Sequence, residues 1–126
     1  MKRNFFAKIF LMILIYLIFS CAYKEGTKKF GVTIPKDLEV IKLEDILKEP
    51  NKYDGKKVLI EGNIVAVCAS GCDFRLQEGT SVVDIYPFNF KVLGLRSGSK
   101  ARVYSEIKSG KERVVISALG MEVKEK

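Results

Sequence analysis

The chain predicts a mainly β domain, small and closed or sandwiched, with one short helix in front of it. Three observations carry that prediction. From Lys56 onward the apolar pattern has period two and is rich in β-branched residues, as in VLIEGNIVAV over 58–67. Further alternating runs, Phe74 to Gln77, Val82 to Tyr86, Arg102 to Lys108 and Arg113 to Val123, follow at short spacing. Links through Glu78-Gly79-Thr80 and Ser109-Gly110 are tight hairpin signals. Five such strands, the first interrupted by Gly62 where a bulge or sharp bend would go, fit a small barrel or sandwich.

Ahead of the strands the chain begins MKRNFFAKIFLMILIYLIFSC. Lys2, Arg3 and Lys8 precede an unbroken apolar run from Ile9 to Phe19, whose helix would be only about 16 Å long at ~1.5 Å per residue. A bilayer core needs roughly 30 Å, so the run suits a secretory signal better than a spanning helix. An uncleaved anchor counted from Phe5 through Ala22, with Lys8 snorkelling, is the alternative. Ile18-Phe19-Ser20-Cys21 resembles a bacterial lipobox. That resemblance implies that residues 1–20 are a signal peptide, that cleavage falls before Cys21, and that the Cys21 thiol carries diacylglycerol. The domain is then an exported lipoprotein of the cell envelope, on the periplasmic side of either membrane or on the cell surface.

The whole chain has net charge +7, but Lys2, Arg3 and Lys8 belong to the signal, and the remaining 19 basic and 15 acidic residues leave +4. Residues 21–35, with Lys24, Lys28 and Lys29 against Glu25, read as the lipidated cysteine and a flexible basic tether of about 20 Å beside an anionic membrane surface. Residues 36–126, with 16 basic against 14 acidic side chains, are then one domain with a single core.

Within that domain, Leu43, Ile46 and Leu47 fall at i, i+3 and i+4, which predicts the short helix, and Pro50 ends it near Lys48. Tyr53-Asp54-Gly55 is a turn into the first strand. Between the third and fourth strands lies PFNFKVLGLRSGS, over 87–99, whose apolar residues are expected to close one end of the domain.

The run DILKEPNKYDGKKVLIEGNIVAV, with GSKARVYSEI further on, resembles the exported OB-fold domains of bacteria, in which a short helix and a P-x-x-Y-x-G-K-x-V pattern lead into strand one. The resemblance covers most of 38–123 and implies a five-stranded OB-fold-like barrel. VCASGCDF, over 67–74, resembles a subgroup with a CxxxGC pair in the first hairpin. Trp often follows that pair in the subgroup, whereas here Asp73 takes the place and the chain has no Trp. The family's fold hosts many ligands, so the resemblance speaks to architecture.

Cys68 and Cys72 flank Ala69-Ser70-Gly71, and a three-residue hairpin loop places a glycine at its left-handed position, a role for Gly71. Flanking residues would then face each other about 5.5 Å apart, within disulfide range. With Cys21 consumed by lipid, an oxidising compartment makes a structural disulfide the leading expectation. A labile redox pair and a soft-metal site for Cu(I) are the alternatives. Structural zinc is disfavoured, because it takes four ligands and the chain has no histidine and no second cysteine pair.

Catalysis has little support. Without histidine, acid–base work would fall to carboxylates, lysine or tyrosine; Glu44-Asp45 reads as a solvated helix face, and Ser81, Ser99 and Ser117 have no evident base. No cofactor is expected. Binding is the better class, since the outer face of strands two and three is the usual OB-fold platform. With Phe74, Leu76, Val83 and Ile85 inward, alternation turns Arg75, Gln77, Asp84 and Tyr86 outward as the candidate ligand surface. The expected partners are the membrane, through Cys21, and an envelope protein or small ligand. Nucleic acid is the weaker alternative: seven basic residues against two acidic ones from Lys91 to Arg113 could follow a phosphate backbone, but aromatic stacking platforms are scarce there.

Overall fold

A computed structural model describes residues 2–19 and 26–124. Helix α1 spans Lys2–Phe19, and the barrel contains β1 (Thr27–Gly31), α2 (Leu43–Lys48), a 3₁₀ turn (Pro50–Tyr53), β2 (Lys57–Val67), β3 (Phe74–Glu78), β4 (Ser81–Pro87), β5 (Lys100–Ser109) and β6 (Val114–Lys124). No helix among the described residues is long and apolar enough to cross a membrane. Cys21 lies outside the described residues.

The sheet closes on itself. β2 pairs antiparallel with β3 and β5, β3 with β4, β5 with β6, and the ring is completed by a parallel pairing of β4 with β6 at Ile85↔Ile116 and Pro87↔Ala118. This is a five-stranded OB-fold-like barrel with one extra strand, and the expected fold class holds. Its interior is filled by the inward positions of every strand, including Ile60, Ile64, Phe74, Leu76, Ile85, Val103, Ile107, Ile116 and Met121, all fully or almost fully buried. Closure pairs β2 to β6 around the ring and leaves the short β1, which meets only β6, as the edge strand.

Gly62 works differently from its expected part. The register break between β2 and β3 falls at Ile64/Ala66, two residues on. A side chain at Gly62 would sit 2.7 Å from the Gln77 carbonyl, so this glycine lets β3 cross closely.

The two ends of the barrel are closed by different means. At the end where β2 begins, α2 inserts Leu43 and Ile46, both fully buried, and the Glu78 carboxylate accepts the Leu43 amide at 2.9 Å, serving one of the helix's unpaired first-turn donors. At the opposite end the 88–99 loop covers the core with buried Val92 and half-buried Phe90 and Leu95, as its apolar residues predicted. The first is the helix end of the barrel and the second, where the β2–β3 hairpin carries Cys68 and Cys72, its cysteine end.

The reading of 21–35 as a flexible tether is corrected over Thr27–Gly31, which forms β1 and pairs antiparallel with the last part of β6 from Thr27↔Lys124 to Gly31↔Gly120. The cause lies in strand lengths. β6 has 11 residues, but β4 occupies its outer edge only at 116–118, and β1 takes the hydrogen-bonding groups left beyond. Phe30 supplies the apolar contact, stacking on Phe90 with ring centroids 6.4 Å apart.

Candidate functional site

The β2–β3 hairpin brings the two cysteines together, though not as facing strand partners. The last ladder pair is Val67↔Phe74, and the Cys68 amide donates to the Asp73 carbonyl at 3.0 Å, so Cys68 stands opposite Asp73. A turn closed by the Gly71 amide donating to the Cys68 carbonyl at 2.8 Å then folds Cys72 back. Gly71 takes φ +74°, as its place in the loop predicted, and it packs against Val92 and Leu93, so a larger residue would be strained and crowded.

The Sγ atoms of Cys68 and Cys72 lie 2.7 Å apart, whereas a disulfide bond is about 2.05 Å. The turn thus brings the expected pair of sulfurs together, near one another and without the bond itself. The Cys72 thiol donates to the Cys68 sulfur, and the Ser70 hydroxyl lies 3.3 Å from it. Those contacts, Cys72 first and Ser70 second, lower Cys68 from the ordinary thiol range to about 7, because each stabilises the thiolate. One ligand atom each from Cys68, Cys72 and Asp73 fall within 4.8 Å of one another. Two sulfurs and one carboxylate are too few for closed structural zinc, but two thiolates suit a soft monovalent ion.

On the barrel wall the predicted alternation is realised: Phe74, Leu76 and Ile85 are buried while Arg75, Asp84 and Tyr86 are exposed. Arg75 and Asp84 face each other across β3 and β4 and form an ion pair at 3.0 Å. Gln77 donates its side-chain amide to the Gly79 carbonyl at 3.1 Å, holding the β3–β4 turn. Three of the four candidate ligand residues thus already satisfy one another or the fold. Tyr86 alone of the four offers an exposed ring and hydroxyl, at the edge of a groove of about 450 Å³ lined by Val83, Asp84, Tyr86, Arg113, Val114 and Val115.

Arg113 and the two valines were not legible as site residues. They reach Tyr86 only because β6 runs parallel beside β4, a pairing between segments about 30 residues apart. A second groove of about 460 Å³ lies over β1, β2, β5 and β6, where Arg102 pairs with Glu61 at 3.1 Å and approaches Glu122 at 4.0 Å. The basic stretch from Lys91 to Arg113 does not form one track. Lys91, Arg96 and Lys100 lie at the cysteine end, Arg102 is engaged with Glu61, and Lys108, Lys111 and Arg113 lie at the helix end.

No family model and no curated protein matches the chain. Among solved structures it is similar to one described as an aspartyl-tRNA synthetase from Leishmania major Friedlin, with TM-score 0.57 and 15% identity over 76% of this chain. The match spans only 23% of that protein's length, and at this identity it bears on the fold alone, placing the barrel among known architectures.

Proposed function

We propose that the chain is an exported, lipid-anchored OB-fold module of the cell envelope that binds a small ligand or an envelope protein in the groove between β4 and β6. The observation that carries the binding assignment is the placement of Tyr86 and Arg113 across a groove of about 450 Å³ with valine walls. An apolar floor with a few convergent polar groups is the usual make-up of a small-ligand site. Tyr86 supplies a ring face and a hydroxyl, and Arg113 a cation. Export and anchoring rest on the Ile-Phe-Ser-Cys motif ending at Cys21. The test follows backbone amide shifts of the full chain against a panel of a hexose, a dicarboxylate, inorganic phosphate, a short peptide and a single-stranded oligonucleotide. Shifts confined to β4 and β6 and abolished by Tyr86→Ala support the groove. Shifts with the oligonucleotide alone, lost at high salt, transfer the fold to nucleic-acid binding.

A second reading is carried by the 2.7 Å sulfur pair. Cys68, ionised in good part near neutrality, attacks one sulfur of an acceptor disulfide and expels the other as a thiolate; Cys72 then displaces the first, closing a Cys68–Cys72 bond. Two protons and two electrons leave the pair, and the acceptor ends as two thiols. Thiol trapping and mass measurement on the chain before and after addition of oxidised glutathione read this directly.

A further inference from the structure

We propose that the cysteine end of the barrel is a docking surface for an anionic lipid bilayer, met by a ring of basic side chains around exposed apolar ones. The proposal deepens, and rests on, the reading that the chain is tethered to a membrane through its N-terminal segment. Three independent features support it.

The first is the distribution of charge. Among the described residues, this end (26–29, 66–73, 88–100 and 123–124) exposes Lys28, Lys29, Lys91, Arg96, Lys100 and Lys124 against a single acid, Asp73. Beside Lys100 and Lys124, in the groove they share, Glu61 and Glu122 both turn to Arg102, at 3.1 and 4.0 Å, and offset one unit of that charge. The helix end (36–57, 78–81 and 108–113) is nearly balanced, with nine basic against eight acidic residues. The positive charge of the barrel is therefore concentrated on one end, and it comes from three separate segments that only the fold brings together.

The second is apolar exposure. Phe88 and Leu93 are 59% and 58% exposed on the loop that covers this end. The loop is held against β1, where the Lys28 ammonium donates to the Gly94 carbonyl at 3.5 Å. Aromatic and aliphatic side chains among lysines are what an interfacial lipid-binding surface presents: the apolar groups enter the headgroup boundary while the cations meet anionic lipid.

The third is reach. Because Thr27 is already paired with Lys124, the spacer is shorter than the sequence suggested. Five residue steps separate Cys21 from Gly26, at most about 18 Å of extended chain. Thr27 lies level with Asn63 through Lys124 and Lys100, so the start of β2 at Lys57, on the helix end, is six residues and up to about 20 Å further off at ~3.3 Å per residue. An anchor at Cys21 therefore holds the cysteine end close to lipid, within one or two screening lengths of the surface at ~8 Å each. A nucleic-acid strand is the competing occupant, but the basic residues ring one end and do not line a continuous groove with stacking aromatics.

The experiment places a fluorescent amino acid at Ser97, on the cysteine end, or at Lys111, on the helix end, in the full chain. The chain is bound to vesicles of phosphatidylcholine with or without about a third phosphatidylglycerol, and quenching by a headgroup-linked quencher is read. Expected is several-fold stronger quenching at Ser97 than at Lys111, dependent on phosphatidylglycerol and lost at high salt. K91E/R96E/K100E should weaken the phosphatidylglycerol-dependent component by at least fivefold per residue. K28Q/K29Q/K124Q, on β1 and the end of β6, gives a second variant should the loop variant misfold, and the salt titration needs no variant at all. Equal quenching at both positions, or quenching indifferent to phosphatidylglycerol, overturns the proposal. So does loss of the Ser97 signal to a single-stranded oligonucleotide at equal phosphate, which assigns the end to nucleic acid. The mass of the chain recovered from bacterial membranes tests anchoring separately. An unlipidated chain whose Ser97 signal still follows phosphatidylglycerol refutes the anchor and keeps the docking surface; a lipidated chain with equal signals does the reverse.

Discussion

The helix end and the cysteine end solve the same problem, covering an open barrel mouth, with opposite materials. At the helix end α2 satisfies most of its own backbone groups and spends its apolar positions on the core, so Leu43 and Ile46 disappear completely. At the cysteine end an irregular loop must have its backbone served piecemeal, by Val92 donating to the Gly71 carbonyl, Gly98 to Ile64 and Ile64 to Ser99. Only Val92 of its apolar residues is fully buried, and Phe88 and Leu93 remain outside. A mouth covered by a helix is mainly structural, whereas a mouth covered by a loop leaves side chains and thiols available for contact.

The strongest way to break that contrast is to truncate each cover. Ile46→Ala should cost about 3 kcal/mol in urea unfolding, through lost burial and a residual cavity. Val92→Ala, which removes two carbons against three and leaves a cavity that an irregular loop can collapse into, should cost only about 1 kcal/mol. Equal losses per carbon removed would mean that the loop packs as firmly as the helix. Gly120→Ala comes next: its new methyl would run into the Val32 carbonyl, backbone that cannot step aside without moving β1. Its expected signature is faster amide exchange across Lys28 to Phe30 with the barrel otherwise protected, at a cost of about 1–2 kcal/mol.

Chemistry at the cysteine end gives a smaller, pH-dependent effect. Because the thiolate is the nucleophile and Cys68 is lowered to about 7, its alkylation should rise with pH and be half-maximal near neutrality. Cys72→Ala removes the larger stabilising contact and should move that midpoint up toward the ordinary thiol range, with Ser70→Ala moving it less. An unmoved midpoint would show that the sulfur pair does not set the reactivity. Smallest of all, Arg75→Ala should change stability by less than about 1 kcal/mol, since its ion pair with Asp84 is half exposed and screened by solvent.

Much of the barrel was legible in local patterns. The five strand segments, the short helix ended before Pro50 and the left-handed Gly71 all follow from period, turn chemistry and a single backbone angle. Even the inward and outward assignments around Phe74, Arg75, Asp84 and Ile85 follow from strict alternation. β1 was not legible, because TKKFG has no alternation to speak of and becomes a strand only where β6 outruns β4. The thiol pair was found in the sequence but its register was not, since Cys68 lies opposite Asp73 once the turn has formed.

By itself the sequence determined the class of fold, the order of its elements and the two cysteines four positions apart, all of which depend on neighbours within one strand or one turn. Only the tertiary structure decided that Tyr86 and Arg113 share a groove, that three of four outward residues are already engaged, and that lysines from both ends of the barrel's chain gather on one face. Those are long-range facts. They depend on how a closed sheet brings together segments with no local pattern in common, and charge or groove complementarity leaves no period in the chain.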